Sequence, residues 1–407
     1  MSEATRRPLL RDRAALAEIL RGSLHPGERR DRLQRALTID DLRRLAERRL
    51  PRSVFGYLEG GAGGEQALRA NVAAFSAYCL RPGALVDVSR IELSTDLLGQ
   101  RVEAPIVLAP IGLTGLMHHE AEPAAARAAA RHGIPYTLSS VSTRTIEEVA
   151  SVGGRRWFQL YVWRDRRVVA DLVTRAKASG YDTLCLTVDV PVAGRRLRDV
   201  RTGLTVPPRF GPRTLLDVAL HPSWWAGLLS GAPIRLANVP EEAGALGTIS
   251  KFINTQFDPG VDWADLDWLV KEWGGRLLVK GVMDAAVARR AVDAGAGGIV
   301  VSNHGGRQLA RSPASLDVLG EICEEVGGEA EVLVDGGIRN GGDVAVALAL
   351  GAKACLVGRA YMYGLAAGGE AGVDRAIGIL VSEIRTTLAL MGCTDVADLG
   401  GQHLVRN

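Results

Sequence analysis

Eight short apolar runs, separated from about residue 105 onward by stretches of helical periodicity, limit what this sequence can fold into. They are Ile106-Val107-Leu108-Ala109, Tyr136-Thr137-Leu138-Ser139, Trp157-Phe158-Gln159-Leu160-Tyr161, Leu184-Cys185-Leu186-Thr187-Val188, Leu277-Leu278-Val279-Lys280, Gly298-Ile299-Val300-Val301, Val332-Leu333-Val334-Asp335 and Cys355-Leu356-Val357-Gly358. Runs this short and this apolar suit strands covered on both faces. Between them the pattern predicts helices over 122–132, 165–179, 284–294 and 342–350. Alternating βα units give a parallel sheet flanked by helices, and eight of them close into an α/β fold, the (β/α)8 TIM barrel. An open doubly wound sheet is the competing arrangement, but no GxGxxG turn follows the first run.

Residues 1–37 read as an Arg-rich leader and 38–407 as one barrel domain that opens with a helical cap. Residues 1–52 hold 14 Arg against 8 Asp plus Glu, so this segment carries +6 and the remainder −3. Leu33 and Leu37 lie one helical turn apart, and Thr38-Ile39-Asp40-Asp41 then starts a helix with two carboxylates at its positive end. Strand four ends near Asp189 and strand five begins near Leu277, a gap too long for one helix. Residues 197–262 are therefore read as a lid or contact insertion, with Pro207-Pro208, Trp224-Trp225 and Leu228-Leu229. The tryptophans either pack or present an apolar patch to a membrane or partner.

A net charge of +3 gives no footing for a nucleic-acid partner. The five cysteines form no CxxC pair and no metal spacing. Cys185, Cys323 and Cys355 fall in apolar or helical patterns and read as buried thiols of a reducing compartment. No apolar run reaches the ~18 residues of a membrane span, and the polar, Arg-rich start is no signal peptide. The expected location is cytoplasmic.

In a barrel of this kind, chemistry sits at the C-terminal ends of the strands. Strand two delivers Ser139 there, strand three Gln159 and Tyr161, and strand four Thr187 and Asp189, followed by Arg195 and Arg196. Strand five gives Lys280, and strand six runs into Val301-Ser302-Asn303-His304-Gly305-Gly306-Arg307-Gln308. An imidazole three residues from a guanidinium, on a glycine-softened turn, is a base beside a carboxylate clamp, which is what oxidation of a 2-hydroxy acid needs. With only five lysines against 44 arginines, Lys280 at a strand end is unlikely to be accidental. Strands seven and eight end in Asp335-Gly336-Gly337-Ile338-Arg339 and Gly358-Arg359. Backbone N–H groups, two guanidiniums and a helix start make the usual barrel phosphate site.

These segments, with Leu50-Pro51-Arg52-Ser53-Val54-Phe55-Gly56-Tyr57, Thr187-Val188-Asp189-Val190-Pro191 and Asn254-Thr255-Gln256-Phe257-Asp258-Pro259, carry a resemblance over roughly residues 38–400. The chain resembles the FMN-dependent 2-hydroxy-acid oxidases and dehydrogenases, and within them the bacterial L-lactate dehydrogenases. The resemblance implies oxidation of an L-2-hydroxy acid, L-lactate first, with FMN as cofactor and flavin N5 as hydride acceptor. His304 matches the catalytic base and Asp189 its carboxylate partner. Tyr161 matches the hydroxyl that contacts the substrate oxygen. Tyr57, Arg196 and Arg307 match the substrate-carboxylate site. Lys280 matches the cation at the flavin N1 and O2 edge. Pro110, Ser139, Gln159, Thr187 and Ser302 match flavin contacts, Asp335 and Gly337 the ribityl region, and Arg339, Gly358 and Arg359 the phosphate site. Whether His304 takes the hydroxyl proton or the Cα proton stays open, as does reoxidation by O2 or by a membrane quinone. The resemblance also implies a homotetramer and, with a quinone, peripheral attachment to the inner face of the cell membrane.

Two departures from the family pattern carry expectations of their own. Ala310 stands where the family has Asp after Gln-Leu, which predicts a less firmly held Arg307. Gly112, where some relatives carry Ala, predicts room near N5, and the modest Val141 admits substrates larger than glycolate. Two other readings use the same residues. One is a non-redox barrel on a phosphorylated substrate with Lys280 as Schiff-base former. The other is a flavoprotein acting on a peptide- or carrier-bound substrate.

Overall fold

The computed structural model describes residues 32–203, 211–239 and 255–407. The first 31 residues of the leader, Pro207-Pro208 and Asn254 lie outside that range. The eight apolar runs form strands β1 (Ile106–Leu108), β2 (Tyr136–Ser139), β3 (Arg156–Leu160), β4 (Thr183–Thr187), β5 (Arg276–Val282), β6 (Gly298–Val301), β7 (Glu331–Asp335) and β8 (Ala354–Val357). Each pairs in parallel with the next, and β8 returns to β1, closing the barrel.

Strand alternation sorts the side chains into two cores. Val107, Trp157, Cys185, Leu278, Val300, Leu333 and Leu356 fill the barrel interior. Their neighbours Ile106, Leu108, Phe158, Leu184, Val279, Ile299 and Val334 point outward under the helices. A hairpin, Thr95–Leu97 with Gln100–Val102, inserts Leu97, Leu98 and Val102 into the interior layer. The amide of Leu98 donates to Glu331, the first residue of β7, so the hairpin plugs the N-terminal end of the barrel. The opposite end is left for chemistry.

Three helices cap the chain start: α1 (Ile39–Arg49), α2 (Arg52–Glu59) and α3 (Gln66–Ala73). A capping box starts α1, with Thr38 Oγ1 accepting from the Asp41 amide and Asp41 accepting from the Thr38 amide. Ile39, Leu42 and Ala46 are buried, Leu33 packs on the core, and Leu37 is exposed. The barrel helices are α4 (Ala121–Arg131), α5 (Ile146–Ala150) and α6 (Arg166–Ala178), and, beyond the insertion, α10 (Trp263–Trp273), α11 (Ala285–Asp293), α12 (Ser315–Val326), α13 (Gly341–Ala349) and α14 (Arg359–Met391). The four helices predicted from periodicity start and stop within a residue of those seen. Helix α14 bends at Gly368-Gly369, where Gly369 has φ +59. A Cβ there would run into Glu120 and His118, so only glycine lets the helix turn against that loop.

The insertion holds α7 (Leu197–Thr202), α8 (Pro212–Ala219) and α9 (Pro222–Ser230). The two tryptophans divide the alternatives between them. Trp224 Nε1 donates to Leu116 O at 2.7 Å, so its ring packs on the loop after β1. Trp225 is 39% exposed, and Leu215, Leu216, Leu220 and Leu229 are more exposed still. Cys185, Cys355 and Cys393 are buried, whereas Cys323, expected to be buried, is only half so, and Cys79 is exposed. Among the described residues, no helix is long and apolar enough to cross a membrane.

Leu333 is fully buried in the barrel interior, whereas Leu229 is 78% exposed. Leu333→Ala is expected to lower unfolding stability by about 2–5 kcal/mol. Leu229→Ala should change it by less than about 0.5 kcal/mol. Denaturant unfolding of the two variants beside the parent checks both.

Candidate active site

The ends of β4 to β7 bring five predicted residues into one bonded chain. His304 Nδ1 lies 2.9 Å from Asp189 Oδ1. The His304 amide donates to Ser302 Oγ at 3.0 Å, and the same oxygen accepts from Lys280 Nζ at 2.7 Å. Lys280 Nζ also pairs with Asp335 Oδ2 at 2.7 Å. Burial alone would raise Asp189, but the charge and hydrogen bond of His304, with Lys280 behind, outweigh it and hold the carboxyl below its ordinary range. Burial likewise opposes the Lys280 cation, and Asp335 and Asp189 overcome it, so the ammonium is held above its ordinary value. A Schiff-base lysine needs a neutral amine, so this pairing speaks against the aldimine reading of Lys280.

His304 sits at φ +60, in the left-handed region that side chains other than glycine avoid. Such strain is kept only where the surroundings impose it. With Nδ1 on the carboxylate, Nε2 is the basic nitrogen.

Arg307 is firmly anchored at the rim. Its Nη1 donates to the carbonyls of Tyr57 and Gly60, each at 2.8 Å, and its guanidinium lies 5.1 Å from the Tyr57 ring centre. The expectation that Ala310 would leave Arg307 loose is therefore overturned. Backbone carbonyls hold it, and Ala310 is itself fixed through its own carbonyl, which accepts from the Ala67 amide. Burial, with Arg196 adding repulsion, pulls Arg307 down to about 9. Arg196 Nε is buried without a partner. A carboxylate arriving between these two arginines would relieve both costs. Burial and the Asp189 charge keep the Tyr161 phenol protonated, available as a donor. Its ring meets Phe257 of the insertion edge-on at 5.4 Å, a neighbour not foreseen from sequence.

A second row crosses β2, β3 and β4. Ser139 Oγ donates to Gln159 Oε1, and Gln159 Nε2 donates to Thr187 Oγ1, both at 3.0 Å. Pro110 follows β1, where Ala109 and Ile111 are the neighbours of Gly358. Gly112 does not open the space expected of it. A Cβ there would lie 2.4 Å from Val141 Cγ2, so Val141 already fills that side.

Across β7 and β8, Gly336 and Gly337 have φ +100 and +89. Arg339 lies 5.9 Å from the Tyr363 ring centre. Arg359 donates to Leu58 O, Gly305 O and Gly60 O. A guanidinium has five N–H donors, so two stay available on Arg359 at the start of α14. Asp335 Oδ1 and Asp189 Oδ2 are buried without partners. FMN fits this set. The Ser139–Gln159–Thr187 row and Lys280 match a flavin's polar edge, Asp335 Oδ1 a ribityl hydroxyl, and the glycines with Arg339 and Arg359 a phosphate. Arg339→Ala is expected to weaken FMN binding about 10- to 100-fold, the loss of a charged hydrogen bond. Fluorescence titration of the apoprotein with FMN reads it.

The family model for FMN-dependent dehydrogenases matches residues 46–406. A relative from Mycobacterium tuberculosis is 46% identical over 100% of this chain and 97% of its own length. The L-lactate dehydrogenase of Caulobacter vibrioides is 45% identical over 88% of this chain and 95% of that protein. Among solved structures, an (S)-mandelate dehydrogenase described as a monotopic membrane protein superposes with a TM-score of 0.88 at 40% identity, over 91% of this chain and 99% of that one. The rim geometry and these matches lead to one family: the chain belongs to the FMN-dependent dehydrogenases.

Proposed function

We propose that this enzyme oxidises an L-2-hydroxy acid, L-lactate first among them, to the 2-oxo acid. The observation that carries the reading is the His304–Asp189 pair beside Arg307 and Arg196, neither of which ion-pairs with a carboxylate among the described residues. Arg307 and Arg196 receive the substrate carboxylate, with the Tyr57 ring against Arg307. Tyr161 donates to the substrate oxygen. His304 Nε2 takes the hydroxyl proton, and Asp189 stabilises the imidazolium that results. Bound FMN supplies the acceptor for the Cα hydrogen, at N5. Lys280 would hold a positive charge at the polar edge of a bound flavin and so favour its reduction.

An anaerobic spectrum before and after L-lactate tests this directly. Bleaching of the flavin band near ~450 nm is expected, and an unbleached band across a panel of L-2-hydroxy acids would remove the reading. His304→Ala should keep FMN and slow flavin reduction by about 10²- to 10⁴-fold.

The electron acceptor we propose is a quinone at a membrane surface. The support is the apolar side chains left exposed on α8 and α9, together with the likeness to a monotopic membrane enzyme. Because Trp224 is committed to Leu116, the membrane-facing candidates are Trp225, Leu220 and Leu229. Flotation with phosphatidylglycerol-containing vesicles should retain the parent. The Leu220→Asp/Leu229→Asp variant should be retained at least about tenfold less, as two buried leucines would dictate. Equal retention, or none by the parent, would end this part of the proposal, and rapid recovery of the flavin band in air would favour O2. A homotetramer belongs to the same proposal and is read by light scattering.

A further inference from the structure

We propose that Asn71, far from His304 in sequence and outside the barrel, is a positioning residue for the base. Through a reciprocal amide pair with Asn303 it holds the His304 turn in its left-handed backbone conformation. The inference rests on the reading of His304 as the base.

Asn71 is carried by α3 and is 1% exposed; Asn303 is 5% exposed. Asn71 Nδ2 donates to Asn303 Oδ1 at 2.7 Å, and Asn303 Nδ2 donates back to Asn71 Oδ1 at 2.8 Å. Each amide reaches further. Asn303 Oδ1 also accepts from the Gly306 amide at 2.9 Å, closing the turn around His304 and Gly305. Asn303 Nδ2 also donates to Pro313 O at 2.8 Å, and Asn71 Oδ1 accepts from the Ser315 amide at 3.3 Å. The Asn303 amide in turn donates to Ser315 Oγ. Every oxygen and nitrogen of the two side-chain amides is thus engaged, and only one orientation of the pair satisfies them. The residue next to this clamp, His304, carries the positive φ.

Other bonds meet the turn at single points: the His304 amide donates to Ser302 Oγ, Gly305 O accepts from Arg359 and Gly306 O from the Ala62 amide. The His304 side chain is held at Nδ1 by Asp189, but that bond does not fix the backbone of the turn. Gly305 and Gly306 also have positive φ and would let it relax. A buried, fully satisfied polar pair specifies one arrangement where an apolar contact would tolerate several. Asn71 also sets the spacing to β7. A Cβ on Gly337 would lie 2.0 Å from Asn71 O, and one on Gly336 2.9 Å from Asn71 Nδ2.

The test is a double-mutant cycle on FMN-loaded protein: the parent, Asn71→Ala, His304→Ala and the pair, each mixed anaerobically with L-lactate, or with the hydroxy acid that best reduces the parent. Asn71→Ala is expected to slow the limiting rate of flavin reduction by about 10- to 100-fold, the cost of misplacing a catalytic group by a fraction of an ångström. Substrate Kd and flavin content should stay within about twofold, and in the His304→Ala background the added Asn71→Ala should cost no more than about twofold. Asn71→Asp keeps the volume but turns the donor facing Asn303 Oδ1 into an acceptor. It should slow reduction similarly and serves if the alanine variant fails to fold. Equal slowing in both backgrounds, an effect on Kd alone, loss of FMN from both variants, or a parent-like rate with His304→Ala inactive would overturn the role of Asn71 alone. A parent-like rate in His304→Ala would remove the base reading itself, and this inference with it.

Discussion

The rim depends on one helix end. Arg307, from the loop after β6, and Arg359, from the end of β8, are both half-buried, and among the described residues neither has a carboxylate within ion-pair distance. Their charges are met by the carbonyls of Tyr57, Leu58 and Gly60 at the C-terminal end of α2, and Gly60 O accepts from both. The last carbonyls of a helix have no intrahelical donors and sit at the negative end of its dipole. They can meet a buried cation without adding a carboxylate that would compete with substrate or phosphate. The next residues extend the clamp. Ala62 donates to Gly306 O, Gly63 to Arg195 O and Ala67 to Ala310 O. Loops after β4, β6 and β8 are thereby tied to one short stretch, and the separation between Arg307 and Arg359 becomes a property of α2.

That arrangement explains which parts of the molecule were legible in sequence. Strands could be read because both faces of each are covered, leaving uninterrupted apolar runs, and their ends then named the rim residues by position alone. Helix starts could be read because Thr38 and Asp41 act within one turn of chain. What could not be read were contacts whose partners lie far apart in sequence. Ala310 looked like a loss for Arg307, because the carbonyls that hold the guanidinium leave no mark on side-chain identity. Gly112 looked like open space, because Val141 approaches it from the next loop. Trp224 and Trp225 are adjacent and chemically identical, and only the position of Leu116 separates the packed ring from the exposed one. Asn71 did leave a signal. It falls four residues after Ala67, on the buried face of α3, and a polar side chain there requires a partner.

The charges of the rim also argue for what the site takes. Lys280, Arg196, Arg307, Arg339 and Arg359 stand at this rim against Asp189, Asp335 and the buried Asp199, since Glu59 is engaged by Arg43 and Glu65 by Arg198. Cations outnumber carboxylates there by two. A phosphate monoester, near two negative charges, or a carboxylate would be drawn to that excess. Asp335 Oδ1, at the end of β7, and Arg196 Nε, in the loop after β4, are buried without partners. Like charges brought together out of water cost stability unless an anion meets them. Binding each ligand therefore stabilises the native chain by the linkage that any native-state ligand exerts. The left-handed turn at His304 belongs to the same economy: a scaffold as thoroughly packed as this barrel can hold one costly backbone conformation where the chemistry needs it.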